Sequence, residues 1–494
     1  PLSKKPLAHA ISTVWLASMM ISGAYAADAE TANTTEAEAA PDSSQLDAVV
    51  VTAQKRTQKL KDVPVPVTAV KGDAIREKNI VLSTDIERLA PNLSAQGSGR
   101  TGKPRWFLRG IGTNDPNQNQ DGPLGVYVDE VVVGLQKNQS FPLYDLERVE
   151  VLRGPQGTLW GKNNTGGTIH YLSKKPTFQD DGYAKLSYGS FNDHIVEAAF
   201  GGAVVDEVLA ARTSIYYETY DGWAHNIVTD TDGPQLKDFN GRFQLLANIS
   251  PTLDAQLILN TRSVNSGNTP TYSVGGSNAP GSAVTIPNPG GAIKQGGGSY
   301  TPSYGTEPDA YSDFWGGSSN ASETRHGATL KVNWRAGAYT LSSITGLTEG
   351  EAESLSLPGA PNDTLIRTSA TGNDSFNQFS QELRLTSPTS QNLSWIAGAY
   401  YYKLNADAQA RTVTYQAGTT KEQYVATSWD QIAESTALFG NVKYKFTDKA
   451  AIGLGLRITR ESKEITETSV NVTDSADGKA LVISTNNAWY APGG

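Results

Sequence analysis

From about Gly182 onward the chain alternates with a period of two, and that periodicity limits what it can fold into. Leu438, Val442, Tyr444 and Phe446 share one face with Gly440, while Asn441, Lys443 and Lys445 share the other with Phe439. Ile452, Leu454, Leu456 and Ile458 oppose Gly453, Gly455, Arg457 and Thr459. Phe379, Gln381, Leu383 and Leu385 oppose Ser380, Glu382, Arg384 and Thr386. One largely apolar side and one polar side at this spacing is a strand signature. A water-soluble sandwich would alternate in the same way, so the connections decide. Short turns at Ser250 to Thr252, Arg335 to Gly337, Ser387 to Gln391 and Thr447 to Lys449 alternate with long loops near 221–238, 266–324, 350–376 and 405–433. Short turns on one rim and long loops on the other are the pattern of an antiparallel transmembrane β-barrel of the bacterial outer membrane.

Strands are expected near 182–190, 193–201, 207–220, 239–249, 253–265, 325–335, 338–349, 377–387, 392–404, 434–446 and 450–464, about eleven in all. Tyr188, Tyr216, Tyr217, Tyr220, Trp334, Tyr339, Trp395, Tyr400, Tyr402, Tyr444 and Phe446 fall on or near strand ends, as interface girdles would. Closed bacterial barrels have even strand numbers, and plugged transporters have about 22. An open half-barrel would leave unpaired backbone groups in lipid. The sequence also stops at Ala491-Pro492-Gly493-Gly494 and not on an aromatic-ended strand. The expectation is therefore a fragment carrying about half of a barrel, over residues 179–494.

Composition removes other classes. Lys plus Arg is 41 against 50 for Asp plus Glu, a formal charge of −9. A nucleic-acid binder would need a basic stripe instead. There is no cysteine, hence no disulfide framework, thiolate metal site or cysteine nucleophile. His9, His170, His194, His225 and His326 are scattered, and none forms an H-E-x-x-H pair. A mean hydropathy of −0.39 excludes a helical membrane protein, but not a barrel whose strands average out. No metal site and no catalytic residue is expected.

The first 26 residues are an address label. Lys4 and Lys5 precede a mostly apolar stretch from Leu7 to about Gly23, and Ala24-Tyr25-Ala26 fits an A-x-A cleavage site. This is a secretory signal peptide. A membrane anchor is the alternative, but the stretch is short and broken by Ser and His. Residues 27–45 are Ala, Glu, Asp, Thr and Ser with one Pro, a composition unable to bury a core and read as a disordered tether. Leu46-Asp47-Ala48-Val49-Val50-Val51-Thr52-Ala53 is an isolated β-prone octet. It is either the first strand of the next domain or an extended peptide offered to a partner's sheet edge.

Residues 54–178 read as a compact α+β domain. Val63 to Val70 is an edge strand interrupted by Pro64 and Pro66. A helical pattern surrounds Ala74 to Lys78, and Ser83-Thr84-Asp85 can cap a short helix over Ile86 to Leu89. Strands are expected at Arg105 to Gly110, Val126 to Val131, Glu147 to Pro155 and Thr168 to Leu172, with a polar loop at 112–123. The glycine-rich run Gln156 to Gly167 is not a P-loop: Gly157 to Gly161 is one residue short, and Lys162 precedes Asn163. Its glycines are better suited to positive-φ turns and close backbone approach. There is no G-x-S-x-G elbow.

The segments Arg105 to Gly110, Val126 to Asp129 and Leu146 to Pro176 resemble the plug domain of TonB-dependent outer-membrane receptors. The closest likeness is Leu146-Glu147-Arg148-Val149-Glu150-Val151-Leu152-Arg153-Gly154-Pro155-Gln156-Gly157-Thr158-Leu159-Trp160-Gly161. The resemblance implies a plug seated inside the barrel, with residues 46–53 as the TonB box. It implies that Gly110, Glu150, Gly154, Pro155, Gly157, Gly161, Gly166 and Gly167 are plug-motif positions. It implies that Arg109 and Arg153 pair with acidic residues on the inner barrel wall, for which Glu382 is a candidate. Charges inside a filled lumen must be paired, and a paired charge can serve as a latch. Ordinary ion pairs within the plug are the alternative.

The resemblance further implies an active importer without an enzymatic site or resident cofactor. Its partners would be the TonB protein of an inner-membrane energising complex, outer-membrane lipid and an extracellular small molecule; no nucleic acid is involved. The ligand in this family is most often a ferric siderophore, although haem, cobalamin, thiamine or an oligosaccharide would suit the same scaffold. Candidate ligand residues are Asn114, Asn117 and Gln118 in the polar plug loop, and Tyr300, Tyr304 and Trp315 in the large loop 266–324. Loop aromatics suit a bulky ligand, or simply pack the loop. The 19 or so residues between Ala26 and Leu46 are too few for a periplasmic signalling domain. A passive porin would need neither a plug nor a partner peptide.

Overall fold

The computed structural model describes residues 50–97, 99–114, 121–226, 231–267, 284–288, 291–295, 312–313, 320–356, 367–389, 392–415, 422–447, 450–474 and 480–491. The expected signal peptide and tether, with Leu46 to Val49, lie outside them, as does most of the loop 266–324.

The N-terminal part is built on a five-stranded sheet. Its strands are β3 (Val67–Lys71), β7 (Leu124–Val128), β8 (Val131–Val132), β9 (Leu146–Arg153) and β10 (Gly167–Ser173), in the order β3-β9-β10-β7-β8. Only β10 and β7 run parallel. As its prolines require, β3 is an edge strand. It starts at Val67, beyond Pro64 and Pro66, and not at Val63. Two small sheets flank it, β1 (Val50–Val51) with β2 (Gln58–Lys59), and β4 (Leu93–Gln96) with β5 (Arg105–Leu108) and β6 (Ile111–Gly112).

Helix α1 spans Gly72–Glu77. The next helical turn is 3₁₀, spans Ser83–Arg88, and is capped one residue earlier than its sequence suggests. Leu82 is the N-cap, and the Asp85 carboxylate accepts from the Leu82 amide at 2.9 Å. The Ser83 hydroxyl instead donates to Gln139 O at 2.7 Å. The core gathers Ile75, Ile86, Trp106, Leu108, Val126, Val149, Val151, Ile169 and Tyr171. Both faces of β10 are buried, which fits its central place.

From Asp181 one antiparallel sheet takes over. It runs through β11 (Asp181–Gly189), β12 (Asp193–Val205), β13 (Leu209–Tyr220), β14 (Leu236–Ser250), β15 (Leu253–Gly267), β16 (Asn320–Ala336), β17 (Tyr339–Ser356), β18 (Arg367–Thr386), β19 (Leu393–Tyr415), β20 (Glu422–Thr447), β21 (Ala450–Asp474) and β22 (Ala480–Ala491), each strand pairing with the next. The described residues thus hold 12 strands in this sheet, not eleven. The one missed is Ala480–Ala491, whose polar run Ser484 to Asn487 weakens the alternation.

The later strands are also longer than expected. Residues 405–415 and 422–433, read as loop, continue β19 and β20 in unbroken register. Strand pairing depends on backbone bonds, and here the buried side is marked only by small residues, Ala406, Ala408 and Ala433, against exposed Asp407 and Gln409.

The two faces are sorted as anticipated. Leu438, Phe446, Leu454, Leu456 and Ile458 point outward, each more than 60% exposed, while Phe439, Glu382 and Arg384 are buried on the inner side. An outer surface of large aliphatic side chains over so many strands is a lipid-facing surface. Tyr188, Trp334, Tyr339, Tyr444 and Phe446 lie on it, as girdle residues should. Tyr216 and Tyr402 do not: both are 2% exposed and face inward, where the lumen is filled.

Candidate functional site at the plug-barrel seam

The inner wall carries arginines at period-two positions, and the N-terminal domain meets them with acids and carbonyls. Asp145 precedes β9 at a positive φ of 47°. Arg212 of β13 grips its carboxylate through two bonds, Nε to Oδ2 at 2.8 Å and Nη2 to Oδ1 at 2.6 Å, and Ser214 also donates to it. Arg242 of β14 donates to Tyr144 O at 3.0 Å and Asp145 O at 2.8 Å. Burial alone would raise the Asp145 pKa, but the Arg212 bonds and the nearby Arg242 hold it below the ordinary carboxylate value. Higher on the wall, Arg262 donates to Ser140 O and Arg100 O, each at 2.8 Å, and Arg325 to Asn138 O at 2.8 Å. Lys137 reaches Asp374 at 3.1 Å.

A second charge cluster lies beneath β7 and β8. Glu130 takes Arg384 at 2.9 Å and Lys331 at 3.7 Å, and Arg384 also holds its own strand neighbour Glu382 at 2.7 Å. Lys55 completes the group from the N-terminal segment, 3.4 Å from Glu382 and 4.0 Å from the Trp160 ring centroid. Burial depresses the Lys55 pKa against the pull of Glu382. Burial also works to raise Glu130, but Arg384, Lys331 and Lys55 together hold it well below the usual carboxylate range. A third cluster joins Lys162 to Glu461 at 2.5 Å, and Asp121 to Lys463 at 3.4 Å.

The expected latch is only partly assembled. Glu382 is on the inner wall, but its plug partner is Lys55. Arg153 bonds Thr68 inside the plug and not a barrel acid. Arg109 is exposed at a φ of 54°, and no barrel carboxylate among the described residues pairs with it. Both polarities therefore occur at the seam: barrel arginines hold plug acids and carbonyls, while plug Arg100, Lys55, Lys137 and Lys162 meet barrel acids, Arg100 pairing with Glu218 and Asp238. Alternation placed Arg384 on the inner face, and Arg212, Arg242, Arg262 and Arg325 share that signal. Their partners could not be read, because Asp145, Ser140 and Asn138 are ordinary loop residues in the sequence.

The octet's last four residues are built into the plug. Val50 and Val51 pair with Lys59 and Gln58. Val51 and Ala53 are almost fully buried, in a cluster with Leu152, Leu159, Trp160, Ile396 and Phe439. Trp160 Nε1 donates to Ala53 O at 2.9 Å. In this conformation the segment Val50 to Ala53 is a docked strand and not a free extended peptide.

The motif glycines carry turns and tight packing. Gly154 and Gly161 have φ of 91° and 84°, and a Cβ on Gly161 would stand 2.9 Å from Arg457 Nη2. Gly167 packs against Leu152 O of β9, Gly166 against Leu124 and Ile111, and Gly110 is an exposed positive-φ turn. Pro155 separates β9 from α2 (Gly157–Trp160), which Gly157 opens. Asn164, which sequence reading missed, ties the loop together. Its Nδ2 donates to Lys162 O at 2.6 Å and Gly161 O at 3.2 Å, and its Oδ1 accepts from Thr168 at 2.6 Å.

Of the candidate ligand residues, Asn114 accepts from Arg105 through its carbonyl at 3.0 Å. Asn117, Gln118, Tyr300, Tyr304 and Trp315 lie outside the described residues. A cavity of about 140 Å³ remains at the seam, between Val131, Val133 and Phe141 on one side and Arg242, Asn260 and Arg325 on the other.

A plug clamped by buried charges against the inner wall of a lipid-facing sheet defines a plugged outer-membrane β-barrel. Residues 59–168 match the family described as the TonB-dependent receptor plug domain. The pesticin receptor of Yersinia pestis is 29% identical over 185 residues, 37% of this chain and 27% of that protein. The vitamin B12 transporter BtuB of Vibrio vulnificus is 27% identical over 199 residues, 40% of this chain and 32% of that protein. Among solved structures, the ferric yersiniabactin uptake receptor FyuA from Yersinia pestis superposes with a TM-score of 0.64 at 18% identity, over 86% of this chain and 60% of that one. The ferripyoverdine receptor of Pseudomonas aeruginosa gives 0.56 at 14% identity, over 86% and 58%. The matched stretches thus span about a third or less of these curated relatives. Residues 59–168 thus match the TonB-dependent receptor plug domain, and the relatives and solved structures that the chain resembles are receptors and transporters.

Proposed function

We propose that the chain serves an active importer that carries a scarce, bulky extracellular ligand across the outer membrane, with a ferric siderophore as cargo and TonB as the source of energy. The observation that carries this reading is the filled lumen. Two buried charge clusters and a partly exposed third hold the plug against the inner wall, so in a closed barrel passage would require work on the plug. The segment at 46–53 is where that work would enter, since its end is joined to the plug core and, through Lys55, to the barrel wall. The cargo assignment is supported by relatives that are a pesticin receptor and an uptake receptor for ferric yersiniabactin. A second cargo class is supported by relatives named as a hemin receptor and a vitamin B12 transporter.

The test is uptake by cells carrying the protein, with and without residues 46–53, using ferric siderophores, haem and cobalamin under iron limitation. The expected result is siderophore uptake that falls to background on deletion while surface binding is retained. Uptake that survives the deletion would exclude energised transport. Binding of haem or cobalamin alone would move the cargo to the second class.

A further inference from the structure

Glu150 stands at the centre of β9 with no exposed surface, and its hydrogen bonds are lopsided. Oε1 accepts three donors: Thr52 N at 2.7 Å, Thr52 Oγ1 at 3.1 Å and Arg148 Nε at 2.7 Å. Oε2 is buried and has no partner among the described residues. Arg148 Nη2 also reaches Thr52 Oγ1 at 3.3 Å, so carboxylate, guanidinium and hydroxyl close a small ring. Two of the three Oε1 donors come from Thr52, inside the octet. A buried carboxylate that loses donors cannot recover them from water. Departure of Thr52 would leave Glu150 with Arg148 alone, and this opposes departure.

We propose that Glu150 is the positioning residue that clamps the C-terminal half of the octet into the plug, so that Val51, Thr52 and Ala53 become available to another chain only when this carboxylate lets go. The proposal rests on the importer reading only for the identity of that other chain. The Thr52 amide is the group an added strand would need, and Glu150 occupies it. The neighbouring contacts serve the same end: Val51 and Ala53 side chains are sealed against Leu152 and Trp160, and Trp160 holds Ala53 O.

The absence of native cysteine makes the clamp directly measurable. Ala53→Cys places a thiol at a buried position of the segment, and Ala90→Cys places one in the plug's main core. Labelling by a membrane-impermeant maleimide is followed in outer membranes opened to the reagent. Expected is at least tenfold faster reaction at position 53 on adding Glu150→Ala, and a severalfold increase with Thr52→Val. Thr52→Ser, which keeps the hydroxyl, should match the parent, and position 90 should not change. Unaltered labelling at 53 in Glu150→Ala would overturn the proposal. An equal rise at 53 and 90 would also overturn it, because Glu150 would then stabilise the whole plug. Capture of a purified TonB C-terminal domain by the same variants tests the importer reading separately. A faster thiol without capture would keep the clamp and discard that partner.

Discussion

At the scale of single residues, His170 shows how much chemistry a strand interior can hide. It lies in β10 with no exposed surface; Nε2 accepts the Glu130 amide at 3.1 Å, and the ring packs edge-on to Trp160. Accepting through Nε2 requires the neutral ring with its proton on Nδ1. Burial holds the pKa well below the ordinary histidine value, and the pull of Glu130 does not offset it. The sign follows from the proton count. Below about pH 6.5 the unfolded chain binds a proton at this position and the native plug does not, so stability falls with pH at up to about 1.4 kcal/mol per unit. Hydrogen exchange of the segment 146–173, corrected for intrinsic rates, should show this slope between pH 6.5 and 5. His170→Gln keeps an acceptor for Glu130 without titrating there, and should flatten the slope. Equal slopes in both proteins would assign the effect elsewhere. Nothing in the sequence distinguished this histidine from the other four. Its importance comes from its burial beside the Glu130 amide and the Trp160 ring, a tertiary fact. Gly154 and Gly161, by contrast, were legible, because a positive φ leaves few residue choices.

At the scale of elements, the bond between the plug and β13 is the clearest case of two local sequences that explain each other only in space. Arg212 is 1% exposed and bidentate to Asp145, and Arg242 binds the same loop. Replacing Asp145 by Asn keeps the shape and removes the charge, leaving two buried guanidinium groups facing a neutral amide. Breaking one side of such a pair costs about 3–5 kcal/mol. Asp181, 3.1 Å from Arg212, should reduce this toward the lower end. The Asp145→Asn plug should therefore open more easily in urea with the barrel still folded, as read from protease access to β9. Adding Arg212→Met should recover much of the loss; a double variant as weak as the sum of the singles would mean the pair is not coupled. The strands themselves were largely legible, since period two survives wherever one face meets lipid and the other the lumen. Legibility ended where the buried face is marked only by small side chains, such as Ala406, Ala408 and Ala433. There β19 and β20 continue as paired strands through residues whose alternation of alanine with polar side chains is a weak apolar signal.

For the whole molecule, the decisive property is which solvent bathes the outer face. Leu454, Leu456 and Ile458 are 72, 69 and 67% exposed on consecutive outward positions of β21. They share that face with Leu438, Val442 and Tyr444 of β20. A water-soluble protein would tolerate a charge at any of them, and would be improved by it. In a bilayer, a cation near the midplane of a barrel's lipid face costs about 2–4 kcal/mol, falling to about 0–1 near the interfaces. Leu456→Arg lies in the middle of the apolar rows and should carry the full cost. Thr466→Arg, outward on the same strand but beyond the apolar band, should carry almost none. Refolding into lipid vesicles across a urea series, scored by heat-modifiable gel mobility, separates the two. The inward neighbour Arg457 lies 5.6 Å from the Tyr400 ring centroid and 5.4 Å from that of Phe439, so the same side chain is already accommodated one residue away on the lumen side. Its presence there makes the comparison one of face and not of residue type. If Leu456→Arg refolded as well as Thr466→Arg, the outer face would not be in lipid, and a plug within a membrane barrel would no longer describe this chain.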